Sequence, residues 1–161
     1  MNDPANPVTI LIDADACPVK DEIYRVAARY KAEVRVVSNT PFRIPESERI
    51  KRVVVGGDFD AADDWIAEEA TRLDGCCVVI TADILLAERC LKAGARVLKH
   101  DGRELDAASI GSAIATRAIM DDLRAGMDSP LGANGGGPAP FTKADRSQFL
   151  QALDRVLVGM G

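Results

Sequence analysis

Five short apolar runs alternate with helical patterns along this chain, and four of the five end in a carboxylate or in a hydroxyl leading to one. The runs lie at residues 8–12, 34–37, 53–55, 77–80 and 96–98. They are apolar at nearly every residue rather than at alternate ones, which suits strands covered on both faces. Between them Ile23, Val26, Ala27 and Tyr30 share a helical face, as do Ala62, Trp65, Ile66 and Leu73, and then Ile84, Ala87 and Leu91. Pro18 suits a first helical turn and Gly94 a helix end. Residues 38–52, with Pro41 and Pro45, form the one long connection without a helical pattern. This alternation predicts an α/β fold, three layers α/β/α around a mostly parallel sheet of about five strands.

The whole chain, 161 residues, has the length of one ordinary domain with a real core. Residues 1–125 read as the α/β body, with Ile110 and Ile114 opening a helical pattern that leads to Leu123. Residues 126–140 hold five Gly and three Pro and read as a linker. In 141–161 Thr142 and Asp145 resemble a capping box, and Phe149, Leu150, Leu153, Val156 and Leu157 form an apolar stripe. That stripe must pack back on the domain or on a partner chain, so a homodimer through the C-terminal helix is one expectation.

A formal charge of −5 disfavours loose attachment to nucleic acid or anionic membrane, and 4% aromatic residues argue against a surface built for stacking bases. No apolar run approaches a membrane span, and Met1-Asn2-Asp3-Pro4 has neither the positive flank nor the apolar stretch of a leader, so a cytoplasmic protein is expected. Cys17, Cys76, Cys77 and Cys90 contain no C-x-x-C pair, and His100 is the single histidine. Neither a zinc site nor a disulfide framework is predicted. Cys17 precedes Pro18 near a helix start but has no His nearby in sequence, and reads as a packing residue.

In an open parallel sheet all strand ends of one polarity meet in one crevice. The acidic ends would therefore converge, and like charges so gathered repel unless a cation sits among them. Asp13 and Asp15 straddle Ala14 directly after the first run, a costly position for two charges. Asp83 follows Thr81 at another strand end, where capping a helix is an equal explanation. Asp60 and Asp63 stand at a helix start that points into the same crevice; Asp64 beside them reads as a helix-dipole residue, and Asp101 before Gly102 as a turn residue. Three or four such carboxylates make a hard oxygen site for Mg²⁺ or Mn²⁺. Two such ions activate water and stabilise the leaving oxygen of a phosphodiester, which makes hydrolysis of that bond the natural chemistry. Asp13, Asp15 and Asp83 are the candidate catalytic residues, with Asp60 and Asp63 added as candidate metal ligands. Ser38, Asn39 and Thr81 at strand ends, and Arg43 and Lys51 in and after the long connection, are the candidate substrate contacts. Arg49 and Arg52 lie with them and suit a nucleic-acid backbone, which makes RNA the candidate partner.

The blocks Asp13-Ala14-Asp15-Ala16-Cys17-Pro18-Val19, Ser38-Asn39, Phe59-Asp60-Ala61-Ala62-Asp63-Asp64-Trp65-Ile66 and Val79-Ile80-Thr81-Ala82-Asp83-Ile84 resemble those of the bacterial YaiI/YqxD family. Gly136-Gly137-Pro138-Ala139-Pro140-Phe141 and the stretch from Asp145 to Arg155 resemble its C-terminal blocks. The resemblance covers nearly the whole chain. It implies a PIN-like domain, a group that includes many metal-dependent ribonucleases, with Asp13, Asp63 and Asp83 as metal-binding carboxylates and Asp15 and Asp60 beside them. Asp58 departs from the small residue expected before Phe59, Leu85 from the usual Pro, and Met127 to Asn134 look like a local insertion.

Two other classes compete. Asp13-x-Asp15, Ser38-Asn39 and Gly57-Asp58 also resemble the motifs of haloacid-dehalogenase-like phosphatases, with Asp13 as nucleophile and Asp15 as general acid, although position 17 is Cys where Thr or Val is favoured. A PIN-like shell that binds RNA, nucleotide or protein without cutting is the third, since a metal site does not prove turnover.

Overall fold

The computed structural model describes residues 7–15, 17–58, 60–126 and 141–160. The expected linker therefore lies outside the described residues, except for Gly126, as does Phe59. The elements run β1 (Thr9–Asp13), α1 (Lys20–Tyr30), β2 (Glu33–Ser38), β3 (Ile50–Val54), α2 (Ala61–Arg72), β4 (Cys77–Ile80), α3 (Ile84–Lys92), β5 (Arg96–Leu98), β6 (Glu104–Leu105), α4 (Ala107–Gly126) and α5 (Lys143–Met160). The strands form one sheet in the order β3-β2-β1-β4-β5-β6, parallel throughout except for the β5–β6 pair. The three-layer α/β/α architecture expected from the alternation is the one observed.

Three local expectations are corrected. The sheet has six strands, because Leu105 and Glu104 pair antiparallel with Val97 and Leu98. The third strand begins at Ile50 rather than at Val53, paired in register with Val34, so the long connection ends at residue 49 and Lys51 and Arg52 belong to the strand. It is the edge strand, and one open side lets charged residues stand within it. Pro18 lies in the turn before α1, whose N-cap is Val19.

The apolar runs divide between two layers because successive strand side chains face opposite ways. Ile10, Ile12, Val34, Val36, Val78 and Ile80 pack under α1 and α5. Leu11, Val37, Cys77, Val79 and Val97 pack under α2, α3 and α4, against Ile66, Leu86 and Ile110. Gly94 ends α3 with φ +90°, as its helix-end position predicts.

The C-terminal helix docks on its own domain. Phe149, Leu153 and Leu157 are fully buried, so the stripe that raised a partner chain as an alternative is covered within the chain. The capping box forms: Asp145 N donates to Thr142 Oγ1 at 3.1 Å and Thr142 N to Asp145 Oδ2 at 3.0 Å. Asp154 Oδ1 accepts from Arg29 Nη1 at 2.7 Å and from the Tyr30 hydroxyl at 2.6 Å. At the other end Arg146 Nη1 donates to Pro18 O at 2.8 Å and to Glu22 Oε1 at 3.1 Å. Gly102, at φ +91°, sits so close to α5 that a Cβ there would lie 2.7 Å from Gln148 O.

Candidate active site

The strand order fixes where a ligand can enter. From β1 the chain steps outward to β2 and β3, then crosses back to β4 and steps outward on the other side. The order reverses between β1 and β4, and the crevice beyond their carboxyl ends is where open α/β sheets bind ligands.

Asp13 is the last residue of β1, and Thr81 is the first after β4. Since Ile12 and Ile80 are in register, the next residues face each other across the switch point. Both lean toward the α2 and α3 layer, two residues beyond Leu11 and Val79. Thr81, fully buried, donates its hydroxyl to Asp13 Oδ2 at 2.9 Å and accepts from Asp83 N at 3.0 Å. One side chain thus sets the position of a carboxylate on β1 and of the turn that carries the next one. Burial pushes the Asp13 carboxyl up; the Thr81 hydrogen bond opposes this, while the charges of Asp15 and Asp83 add to it.

Asp83 is the N-cap of α3, and its Oδ1 accepts from Leu85 N at 2.9 Å and Leu86 N at 3.3 Å. Capping and a place in the crevice therefore coexist. Asp60 occupies the N-cap position of α2 without any side-chain capping bond and stays exposed, so helix capping does not account for its carboxylate. Asp63 follows in the first turn of α2. Its carboxyl rises from 3.8 to about 6, through burial first and then through the charges of Asp83, Asp13 and Asp60, with Arg89 opposing. Asp13, Asp60 and Asp83 are thus all close enough to act on Asp63, although the four come from three separate elements.

Asp15 stands slightly apart. It is exposed, and Ser38 at the end of β2 donates to its Oδ1 at 2.9 Å, while Thr40 N donates to Ser38 Oγ at 3.2 Å. Asn39 Nδ2 donates to Asp58 O at 3.2 Å, tying the connection after β2 to the one before α2. Arg43 is exposed in the 39–49 connection. Lys51 is exposed on β3 beside Arg35, three residues and about 10 Å before the strand end, so it is not brought to the crevice. Asp101 is a turn residue, accepting from Arg103 N at 3.1 Å. Cys17 is buried in the core as a packing residue, and that burial pushes its thiol up to about 11. Burial likewise lowers the affinity of His100 for a proton.

A cleft of about 490 Å³ opens beside these carboxylates, lined by Asp60, Asp63, Asp64, Asp83 and the first turns of α3, and also by Arg89. Arg89 was not marked by the sequence, where a cation on an amphipathic helix looks like any solvated residue. Among the described residues no three His, Cys, Asp or Glu side chains are gathered tightly enough, as placed, to hold a metal ion. The acidic donors at the crevice are carboxylates, the donor type a hard cation takes. No helix among the described residues is long and apolar enough to cross a membrane.

A family profile described as "Uncharacterized BCR, YaiI/YqxD family" matches residues 11–159. The chain is 63% identical over 149 residues to a UPF0178 protein of Sphingopyxis alaskensis, covering 92% of each. It is 54% identical over 152 residues to one of Azorhizobium caulinodans, covering 94% of this chain and 91% of that one. With a UPF0178 protein of Brucella ovis the identity is 50% over 159 residues, with 98% and 94% covered. No solved structure is a significant match.

Proposed function

The chain belongs to the YaiI/YqxD family, and from that premise we propose that it is a PIN-like, divalent-metal-dependent phosphodiesterase that cuts RNA in the crevice between β1 and β4. The observation that carries the reading is the convergence of Asp13, Asp63 and Asp83 at the switch point, where the charge of Asp83 reaches both Asp13 and Asp63 and Thr81 ties the ends of β1 and β4 together. Scattered acidic residues on a surface gain nothing by such crowding, whereas a site for a hard cation requires it.

Asp13, Asp63 and Asp83 would hold the ion, with Asp15 and Asp60 beside them, and Mg²⁺ or Mn²⁺ bound there supplies charge neutralisation and a more acidic water. The remaining work falls to the chain. Thr81 orients Asp13 through its hydroxyl, and the α3 amides of Leu85 and Leu86 hold Asp83. Ser38 fixes Asp15 at the opposite wall, and Asn39 keeps the adjoining connection in place. Hydrolysis adds water across the P–O bond, leaving a phosphate monoester and a hydroxyl.

The test uses purified protein, mixed RNA and Mn²⁺. Cleavage is expected from the wild type and must vanish in both Asp13→Asn and Asp83→Asn; cleavage that persists in both would come from a contaminant. Mg²⁺ or Mn²⁺ should also raise the unfolding temperature of the wild type and not of Asp13→Asn. Turnover of p-nitrophenyl phosphate without RNA cleavage would assign the site to a phosphatase with Asp13 as nucleophile. Absence of both activities together with absence of metal stabilisation sinks the enzyme reading.

A further inference from the structure

The acidic cleft has one cation among its described lining residues, and the sequence gives it no role. Arg89, on α3, donates from Nη1 to Asp64 Oδ1 at 2.9 Å and is close enough to Asp63 to favour that residue's charge. As a structural tie the pair achieves little. Arg89 and Asp64 remain 45% and 56% exposed, and exposed ion pairs contribute small net stability because water solvates both partners well.

An RNA phosphate entering this cleft meets carboxylates of Asp60, Asp63, Asp64 and Asp83. It needs a positive partner on the wall as well as any bound ion. A guanidinium provides that partner as a planar fork, matched to two oxygens of one phosphate, and exchange from Asp64 costs little since Asp64 returns to water. We infer that Arg89 is the phosphate-binding residue of the cleft, resting on Asp64 in the free protein and transferring to a non-bridging oxygen of the bound phosphodiester. The inference rests on the reading of this cleft as a phosphodiester site and assigns the residue that recognises the anion. Asp64 then acts as a competitor for the same guanidinium.

Removal of the two partners must change ligand affinity in opposite directions, and Arg89→Lys, which conserves the charge, separates a direct bidentate contact from the general effect of charge near a polyanion. The experiment measures binding of a short fluorescein-labelled oligouridylate with phosphorothioate linkages, in Mg²⁺, by fluorescence polarisation. Arg89→Gln should weaken binding about tenfold. Asp64→Asn should tighten it about threefold, the equivalent of one exposed ion pair removed. Arg89→Lys, which keeps the charge and loses the fork, should fall between wild type and Arg89→Gln. A neutral methylphosphonate-linked oligomer should bind all variants equally. Thermal unfolding shows that each variant is folded.

Should the wild type bind while Arg89→Gln binds as well, or should both substitutions shift affinity in the same direction, the inference is overturned and the function proposed above stands. If the wild type fails to bind the phosphorothioate oligomer, that function and this inference fall together.

Discussion

Replacing Asp63 by Asn should stabilise the protein at neutral pH and far less in acid. The carboxyl of Asp63 lies at about 6 in the folded chain against an ordinary 3.8. Between these values the folded protein keeps a proton that the unfolded chain has released, so stability falls as pH rises through that window. Below it both states are protonated and Asp63 costs nothing; above it the full cost is present. A fully buried carboxyl displaced this far would cost about 3 kcal/mol. Asp63 is only half-buried, and solvent screening reduces the cost to about 1 kcal/mol. Asn has nearly the same shape and no charge. Urea unfolding in chelator should show a gain of about 1 kcal/mol at about pH 7.5 and about a third of that at about pH 4.5. The corresponding rise in Tm is about 2–4 °C. A gain of equal size at both pH values would reveal relieved packing instead of relieved charge, and no gain at the higher pH would refute the crowding of Asp63 by Asp83, Asp13 and Asp60. Added Mg²⁺ should narrow the gap by stabilising the wild type more.

Thr81→Val keeps shape and burial but removes the hydroxyl from Asp13 and the acceptor from Asp83 N, and should cost about 1–3 kcal/mol in the same urea assay. Loss below about 0.5 kcal/mol would show that water replaces both bonds. Gly102→Ala places a Cβ against the α5 backbone at a positive φ, and should both lower Tm and speed amide exchange selectively in α5. Unchanged α5 protection would refute the close approach. Cys17 and Cys90, buried and with thiols at about 11 and about 12, should resist alkylation at neutral pH until urea is added, whereas Cys76 is only half-buried and should react first. Mass-mapped labelling of native protein checks the order.

What the sequence revealed and what it hid follow from the range of the interactions involved. Runs such as Leu11-Ile12 and Val78-Val79-Ile80 announce buried strands because both faces are covered, and Thr142 with Asp145 is a cap complete within four residues. The edge strand β3 shows in the sequence only at its apolar end, because Lys51 and Arg52 mimic a loop where only one side pairs. Two residues, Glu104 and Leu105, are too few to carry any period, so β6 exists only through pairing with β5. In the crevice, the acidic strand ends are local and were legible. Their division was not: Asp13, still within β1, faces Asp63 and Asp83, while Asp15 has the same parity but lies past the strand end in a turn, and meets Ser38 at the end of β2 instead. Arg89 belongs to the cleft only because α3 lies beside α2, a neighbour relation no linear pattern contains.

The docking of α5 also governs when the sheet is covered during synthesis. Phe149, Leu153, Val156 and Leu157 are made more than a hundred residues after Ile10, Ile12, Val34 and Val36, over which they finish the layer. Arg146 reaches back 128 positions to the carbonyl of Pro18, in the turn just downstream of Asp15. A growing chain that has not released residues 143–160 therefore leaves the part of this sheet face not covered by α1 wet and that turn untethered. The crevice is assembled from residues 13–89, yet its frame closes only once α5 has been released to dock, so a chain truncated before α5 should meet proteases as a partly open sheet rather than as a smaller working protein.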